Sequence, residues 1–213
     1  MIVKSNTMSN DDKAILSDLR DITRNKEYWK ENILDVASYL NNDYSVEVKA
    51  KALWLLGEMG LKYPEEIENY VKDIAGYLEN DSPKLRERST NAIGRIGRSD
   101  KNLVVHYLDK LMQMRHDNSE NVRHAFIWAC ENIASTAPEL FCENLEIFYE
   151  MIGDSKNKVR IEAPEMFRVI GKRKPDYVKP YIEKLEWIAE NDDNHIVRIH
   201  SAGAIRITKK AMK

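Results

Sequence analysis

The segment from Asp117 to Ala134 reads DNSENVRHAFIWACENIA and carries the clearest structural signal in the chain. Ser119 is a good N-cap residue, and Glu120 suits the positive end of a helix. The apolar side chains that follow recur at the spacing of one helix face: Val122, Phe126, Ala129, Cys130 and Ile133. A second row at four-residue spacing consists of His124, Trp128 and Asn132. The segment is therefore predicted to be a helix with one face for packing and another for display.

The same pattern recurs along the chain at a step of 37 residues. Starting from Val122, this step reaches an aliphatic residue each time: Val48, Leu85, Val159 and Ile196. A second aliphatic ladder lies between these positions: Leu34, Val71, Leu108, Leu145 and Ile182. Two amphipathic helices per unit and a period in the thirties are typical of an α-solenoid, in which each unit buries its apolar face against its neighbours. The last step is ambiguous, because the Val-Arg dipeptide at Val197 gives 38 residues instead of 37.

These ladders divide the chain into repeats within a single domain, 1–213. We expect a flexible N-terminus at 1–9 and a capping helix at 10–26, capped by Ser9 or Asn10. The five repeats are predicted at about 27–61, 62–98, 99–135, 136–172 and 173–213.

Glycine and proline predict the details within the repeats. A set of small residues at the 37-residue step is expected just after the second helices, where a small residue lets the chain turn: Gly60, Gly97, Ala134 and Gly171. Pro164 is expected to kink the fourth second helix, and Pro180 is expected to bend the last first helix.

Composition limits the classes of function. The chain has 33 basic and 35 acidic residues in 213, a net charge of −2. Residues 1–80 carry 10 basic and 15 acidic groups, whereas residues 158–213 carry 13 and 8. This balance does not favour non-specific nucleic-acid binding, which relies on clustered Lys and Arg. Two cysteines are too few for a disulfide framework, and no apolar run approaches a membrane span, so we expect a cytoplasmic protein with no membrane partner.

A dipeptide in each second helix links the repeats to a known family. It reads Val48-Lys49, Leu85-Arg86, Val122-Arg123, Val159-Arg160 and Val197-Arg198, preceded by Asp43, Asp81, Asp117, Asp154 and Asp192 or Asp193. This pattern resembles the aspartate, valine, arginine signature of HEAT repeats, which are armadillo-like. The resemblance implies a ladder of acidic and basic residues between repeats and a concave surface lined by second helices. We predict an all-α fold, a right-handed α-solenoid of five HEAT-like helix pairs plus an N-terminal capping helix.

The second helices also supply the candidate binding residues. Projecting them outward predicts a partner-binding row of Lys51, Trp54, Glu58, Arg88, Asn91, Arg95, His124, Trp128, Asn132, Glu162, Glu165 and Val169. Aromatic and Arg side chains commonly anchor interfaces, so Trp54 and Trp128 are the expected anchors unless each packs against a neighbouring repeat. The predicted function is a non-enzymatic, monomeric scaffold that recognises a protein or peptide on its concave face. The histidines show no pair four residues apart, so we predict no metal or cofactor.

A second hypothesis rests on Trp54, Glu58, Arg95 and Trp128. Their arrangement is similar to that of alkylpurine DNA glycosylases built of HEAT-like repeats. The resemblance implies DNA as the partner and a cationic damaged nucleotide held against an aromatic face and a carboxylate, which both stabilise positive charge. The alternative function is therefore a DNA-binding, glycosylase-like repair protein.

Overall fold

The computed structural model describes residues 9–41 and 43–213, in which only helices, turns and loops occur. The expected flexible segment 1–9 lies outside the described residues except for Ser9. The α-helices are α1 (Asn10–Arg24), α2 (Trp29–Ser38), α3 (Val46–Lys62), α4 (Pro64–Ile67), α5 (Val71–Gly76), α6 (Pro83–Ser99), α7 (Leu108–Gln113), α8 (Glu120–Ala134), α9 (Leu145–Met151), α10 (Asn157–Arg173), α11 (Pro175–Val178), α12 (Ile182–Asn191) and α13 (His195–Ala211).

Polar residues set where the helices begin. The Ser9 hydroxyl accepts a hydrogen bond from the Asp12 amide and starts α1 as expected. The hydroxyl of Ser119 makes no such bond. Instead, the Asp117 carboxylate accepts a hydrogen bond from the Ser119 amide at 2.8 Å. The turn before α8 is thus fixed by the aspartate two residues before the N-cap.

The second helices of the repeats are α3, α6, α8, α10 and α13, and each packs against the next along the stack. Their first residues are 46, 83, 120, 157 and 195, so the last step is 38 residues. Val197, rather than Ile196, consequently occupies the fully buried position. The packing stripe predicted for α8 is confirmed, because its five members are all inaccessible to solvent. The all-α solenoid is the observed architecture.

The first helices of repeats two to five are broken rather than continuous. A 3-10 turn at Glu68–Tyr70 separates α4 from α5, and Lys179–Tyr181, which contains Pro180, separates α11 from α12. Each break ends at a residue with φ between −95° and −109° and ψ near zero: Tyr70, Tyr107, Asn144 and Tyr181. The aliphatic residue that marks the first-helix ladder then begins a new helix. Apolar periodicity located these positions, but it did not reveal the breaks.

The glycine prediction was wrong. Gly60, Gly97 and Gly171 lie inside the second helices, and no glycine in the described part of the chain has a positive φ. Their role is close packing: a Cβ at Gly97 would lie 2.6 Å from Val104 Cγ2. Pro164 is buried within α10, which runs through it without interruption, and the kink expected there stays a prediction.

Charged side chains join successive repeats on the loop side of the stack. The Arg123 guanidinium donates two hydrogen bonds to Asp154, at 2.7 and 2.9 Å, and a third to the Asp117 carbonyl at 2.8 Å. Arg86 with Asp117 and Arg160 with Asp192 repeat this arrangement. The ladder implied by the HEAT resemblance is therefore present.

One rung of the ladder differs from the prediction. Asn80, not Asp81, occupies the position equivalent to Asp117, and its side chain accepts a hydrogen bond from the Ser82 amide at 3.0 Å. Asp81 offers only its backbone carbonyl to Arg86.

None of the described helices has the length and apolar character needed to cross a membrane.

Candidate partner-binding face

The predicted binding residues form one row on each of four neighbouring helices, here named the second-helix face. The rows are Lys51, Trp54 and Glu58 on α3; Arg88, Asn91 and Arg95 on α6; His124, Trp128 and Asn132 on α8; and Glu162, Glu165 and Val169 on α10. Contacts run from row to row, because Glu58 pairs with Arg95 and His124 lies 3.7 Å from Glu162. The 37-residue step therefore brings together residues that are far apart in sequence.

Exposure divides this set. Trp54, Asn91 and Trp128 are half-buried, whereas Asn132 is only 8% exposed, contrary to the prediction that it is displayed. The Asn132 side chain accepts a hydrogen bond from Arg98 and donates one to the Trp128 carbonyl at 2.8 Å. Glu165 and Val169 are buried as well. The side chains of Asn132, Glu165 and Val169 therefore pack within the fold and are not displayed to a partner.

Arg95 links three rows in the middle of the face. Its guanidinium forms an ion pair with Glu58 and lies 4.4 Å from the centre of the Trp128 ring, a cation–π distance. Burial lowers the pKa of Arg95, the Glu58 carboxylate opposes that shift, and Arg88 adds to it. On α3, the Lys51 ammonium lies 4.1 Å from the centre of the Trp54 ring.

This geometry gives no support to the glycosylase resemblance. The structure does bring Glu58, Arg95 and Trp128 into contact, but they are engaged with each other. One face of Trp128 is covered by Arg95, and one face of Trp54 by Lys51. The Glu58 carboxylate is already neutralised by Arg95. A cationic nucleotide would have to displace the cations that the chain itself supplies.

The N-terminal end of the face contains a feature that the sequence did not reveal. A depression of about 370 Å³ lies between α1, α3 and α6, lined by Leu16, Glu47, Ala50, Lys51, Trp54, Lys84 and Arg88. Burial lowers the pKa of Lys51, repulsion from Arg20 and Arg88 lowers it further, and the Glu58 carboxylate opposes this shift. Arg20 and Leu16 belong to α1, for which the sequence predicted only a capping role.

The C-terminal end of the face carries an acidic cluster of Glu131, Glu162 and Glu165. His200 Nδ1 lies 3.3 Å from Glu165, and Arg168 forms ion pairs with Glu165 and, at 3.7 Å, with Glu131. Burial and the two neighbouring carboxylates raise the pKa of Glu131 to about 7. The nearby His124 side chain lowers the pKa of Glu162, against the effect of burial.

Glu131 was absent from the predicted site, although the sequence held a clue. It occupies the position that Gly57 and Gly94 hold in the two preceding repeats, at the same 37-residue step. A large side chain replaces glycine there, and α8 and α10 pack less closely than the neighbouring pairs of second helices.

In 9–41 and 43–213, no three His, Cys, Asp or Glu side chains are arranged to hold a metal ion.

Solved structures of repeat proteins share this architecture. An engineered protein matches with a TM-score of 0.70 and 16% identity over 98% of this chain and 94% of its own. A designed armadillo repeat protein in complex with the peptide (KR)4 matches with a TM-score of 0.65 and 20% identity, over 94% of this chain and 95% of its own. A computationally designed armadillo repeat protein for modular peptide recognition has a TM-score of 0.62 and 17% identity, over 92% and 93%.

Sequence comparison gives the family. No curated protein sequence matches the chain. The family model described as "Sister chromatid cohesion protein PDS5 protein" matches residues 20–185, which extend from α1 into α12 and cover most of the repeats. The HEAT-repeat prediction is thereby confirmed, and the chain belongs to the sister chromatid cohesion protein PDS5 family.

Proposed function

We propose that the protein is a non-enzymatic scaffold that binds a segment of a protein partner along its second-helix face. The observation that carries this proposal is the pair of half-buried tryptophans, Trp54 and Trp128, at equivalent positions two repeats apart. Each ring is held by a cation of the chain, so it is oriented while part of its surface stays accessible to solvent. Rigid aromatic anchors of this kind provide most of the binding energy in many interfaces.

Asn91 strengthens the proposal because it stands between the two tryptophans at the equivalent position of the intervening repeat. Its half-buried amide makes no side-chain hydrogen bond with any residue in 9–41 or 43–213. An amide has both donors and an acceptor, so it suits the alternating N–H and C=O groups of an extended peptide backbone. Lys51, Arg88 and His124 flank the row and supply further polar contacts.

The solved structures lend support by analogy of fold. One similar designed repeat protein is in complex with the peptide (KR)4, and another is designed for modular peptide recognition. In our proposal this chain uses the same architecture as a monomer and its partner lies on the concave side of the stack. Asn132, Glu165 and Val169 are left out of the contact surface because they are buried.

Selection from a random peptide display library on the immobilised protein tests this function. Selected peptides should bind the wild type, and Trp54→Ala or Trp128→Ala should weaken their binding by about 2 kcal/mol or more. Trp187→Ala is the matched control, because Trp187 is 65% exposed on α12, in the first-helix layer. The control variant should bind the peptides as the wild type does.

Two results would contradict the proposal. One is a failure to select any peptide that binds the folded protein. The other is a set of peptides whose binding is unaffected by Trp54→Ala and Trp128→Ala but is lost in Trp187→Ala, because the partner would then use the first-helix layer.

A further inference from the structure

The depression between α1, α3 and α6 combines apolar and cationic groups. Its apolar lining comes from Leu16, Ala50 and Trp54. Lys51 and Arg88 line it too, and Arg20 lies close enough to Lys51 to repel it. We name these six residues the basic pocket. Trp54 therefore belongs both to the basic pocket and to the pair of tryptophan anchors on the second-helix face.

The cations of the basic pocket lack acidic partners. In 9–41 and 43–213, no carboxylate forms an ion pair with Arg20, Lys51 or Arg88. The depression's other two charged lining residues, Lys84 and Glu47, pair with each other at 3.2 Å, and the nearby Arg95 is paired with Glu58. Like charges that are held together without a counterion raise the energy of the free protein, and an anionic ligand relieves that repulsion.

The opposite end of the face is acidic rather than basic. Its three carboxyl groups, Glu131, Glu162 and Glu165, face one arginine, Arg168, and the histidines His124 and His200. The two ends of the second-helix face thus differ in charge, and its unpaired cations lie in the basic pocket.

We propose that the basic pocket binds an acidic segment of the protein partner, with carboxylates on Lys51, Arg88 and Arg20 and an apolar side chain against Trp54. This inference rests on the proposed function and assigns the chemical class of the bound segment. An acidic peptide suits the pocket better than a nucleic acid does. The depression accommodates single side chains, its lining is partly apolar, and the net charge of −2 does not attract a long polyanion.

Fluorescence anisotropy with labelled synthetic peptides tests the assignment. One peptide carries Asp and Glu around a single Leu, and its matched partner has Asn and Gln in their place. The acidic peptide should bind about tenfold more tightly than the amide peptide, because the recognised charges are removed in the latter. Raising the salt concentration from about 50 to about 200 mM should weaken the binding of the acidic peptide only, because salt screens the interaction between exposed charges.

Variants of the protein locate the site. Arg88→Glu and Lys51→Gln should each weaken the binding of the acidic peptide by about tenfold. The control is Lys72→Glu, which reverses an exposed cation on α5 in the first-helix layer and should change binding by less than about twofold. Thermal melts verify folding, and Arg88→Gln replaces Arg88→Glu if the reversed charge prevents folding.

Any of the following four outcomes would overturn the proposal. Acidic peptide that fails to bind, or that binds no better than the amide peptide, excludes carboxylate recognition. Binding that survives both pocket variants places the site elsewhere. An oligonucleotide that binds more tightly than the acidic peptide and is lost in Arg88→Glu assigns the pocket to nucleic acid. Library peptides that are not acidic but still require Trp54 would refute this inference and leave the proposed function standing.

Discussion

Glu131 occupies a position that glycine holds in the two preceding repeats, and this change places a carboxyl group among other carboxyl groups. The groups that face it are Glu162, Glu165 and Arg168 on α10, with His124 on its own helix and His200 on α13. Its pKa of about 7 means that the folded protein keeps a proton that the unfolded chain releases near pH 4.3. Stability from this proton is present at low pH and is lost as the pH rises through about 7.

Glu131→Gln should therefore stabilise the protein more at about pH 8 than at about pH 5, by on the order of 1 to 2 kcal/mol. The lowered pKa of Glu162 affects stability only at lower pH, because that carboxyl is ionised at both of these pH values. Urea unfolding of wild type and variant at both pH values measures the difference. A gap between the two proteins that does not change with pH would show that Glu131 titrates normally.

The arginine ladder offers a second test with single residues. The Arg123 and Asp154 side chains are 13% and 12% exposed, so Asp154→Asn leaves a largely buried guanidinium without its counter-charge. The expected cost is about 3 kcal/mol. Lys101 and Glu139 are 43% and 50% exposed, so the control Glu139→Gln should cost less than about 1 kcal/mol. Equal costs in denaturant unfolding would mean that the ladder does not hold the repeats together.

At the scale of helices, the second helices were predictable because their buried faces produce a strong period in the sequence. The breaks in the first helices were not predictable, because a proline directly precedes the last residue of a break in only one case, at Pro180. The role of glycine was misread for a related reason. Chain turns and close helix contacts both favour glycine, and only the neighbouring helix distinguishes them.

Gly94 and Gly203 test whether glycine is needed for close packing between helices, because only Gly94 is crowded by a neighbouring helix. A Cβ at Gly94 would lie 2.5 Å from the Ala129 Cα, so Gly94→Ala should destabilise the protein by about 1 to 3 kcal/mol despite its better helix propensity. Nothing lies within 4 Å of a Cβ at Gly203, within α13, so Gly203→Ala should stabilise by up to about 1 kcal/mol. Two variants with the same sign in urea unfolding would contradict close packing between α6 and α8.

At the scale of the whole molecule, charge in the sequence and charge on the face run in opposite directions. Residues 1–80 are net acidic with 10 basic and 15 acidic groups, yet they contribute Arg20 and Lys51 to the basic pocket. Residues 158–213 are net basic with 13 and 8, yet they contribute Glu162 and Glu165 to the acidic cluster.

Periodicity placed most of the site residues on one face, but pairing between repeats decides which charges remain available. Glu58 and Arg95 are 37 residues apart, and no local pattern reveals that they neutralise each other. Asn132 shows the same limit, because its burial depends on Arg98 from the preceding repeat. The fold could thus be predicted from the sequence, whereas the charge pairing at the site became visible only once the helices were stacked in the structure.

The indole N–H signals of the four tryptophans test most directly where the partner binds. In a ¹⁵N-labelled sample titrated with a library-selected peptide, Trp54 and Trp128 should shift because they lie on the second-helix face. Trp29 is buried with its indole bonded to the Ile22 carbonyl at 2.8 Å, and Trp187 lies in the first-helix layer, so neither signal should move. A titration in which Trp187 shifts while Trp54 and Trp128 stay unchanged would contradict the proposed binding face.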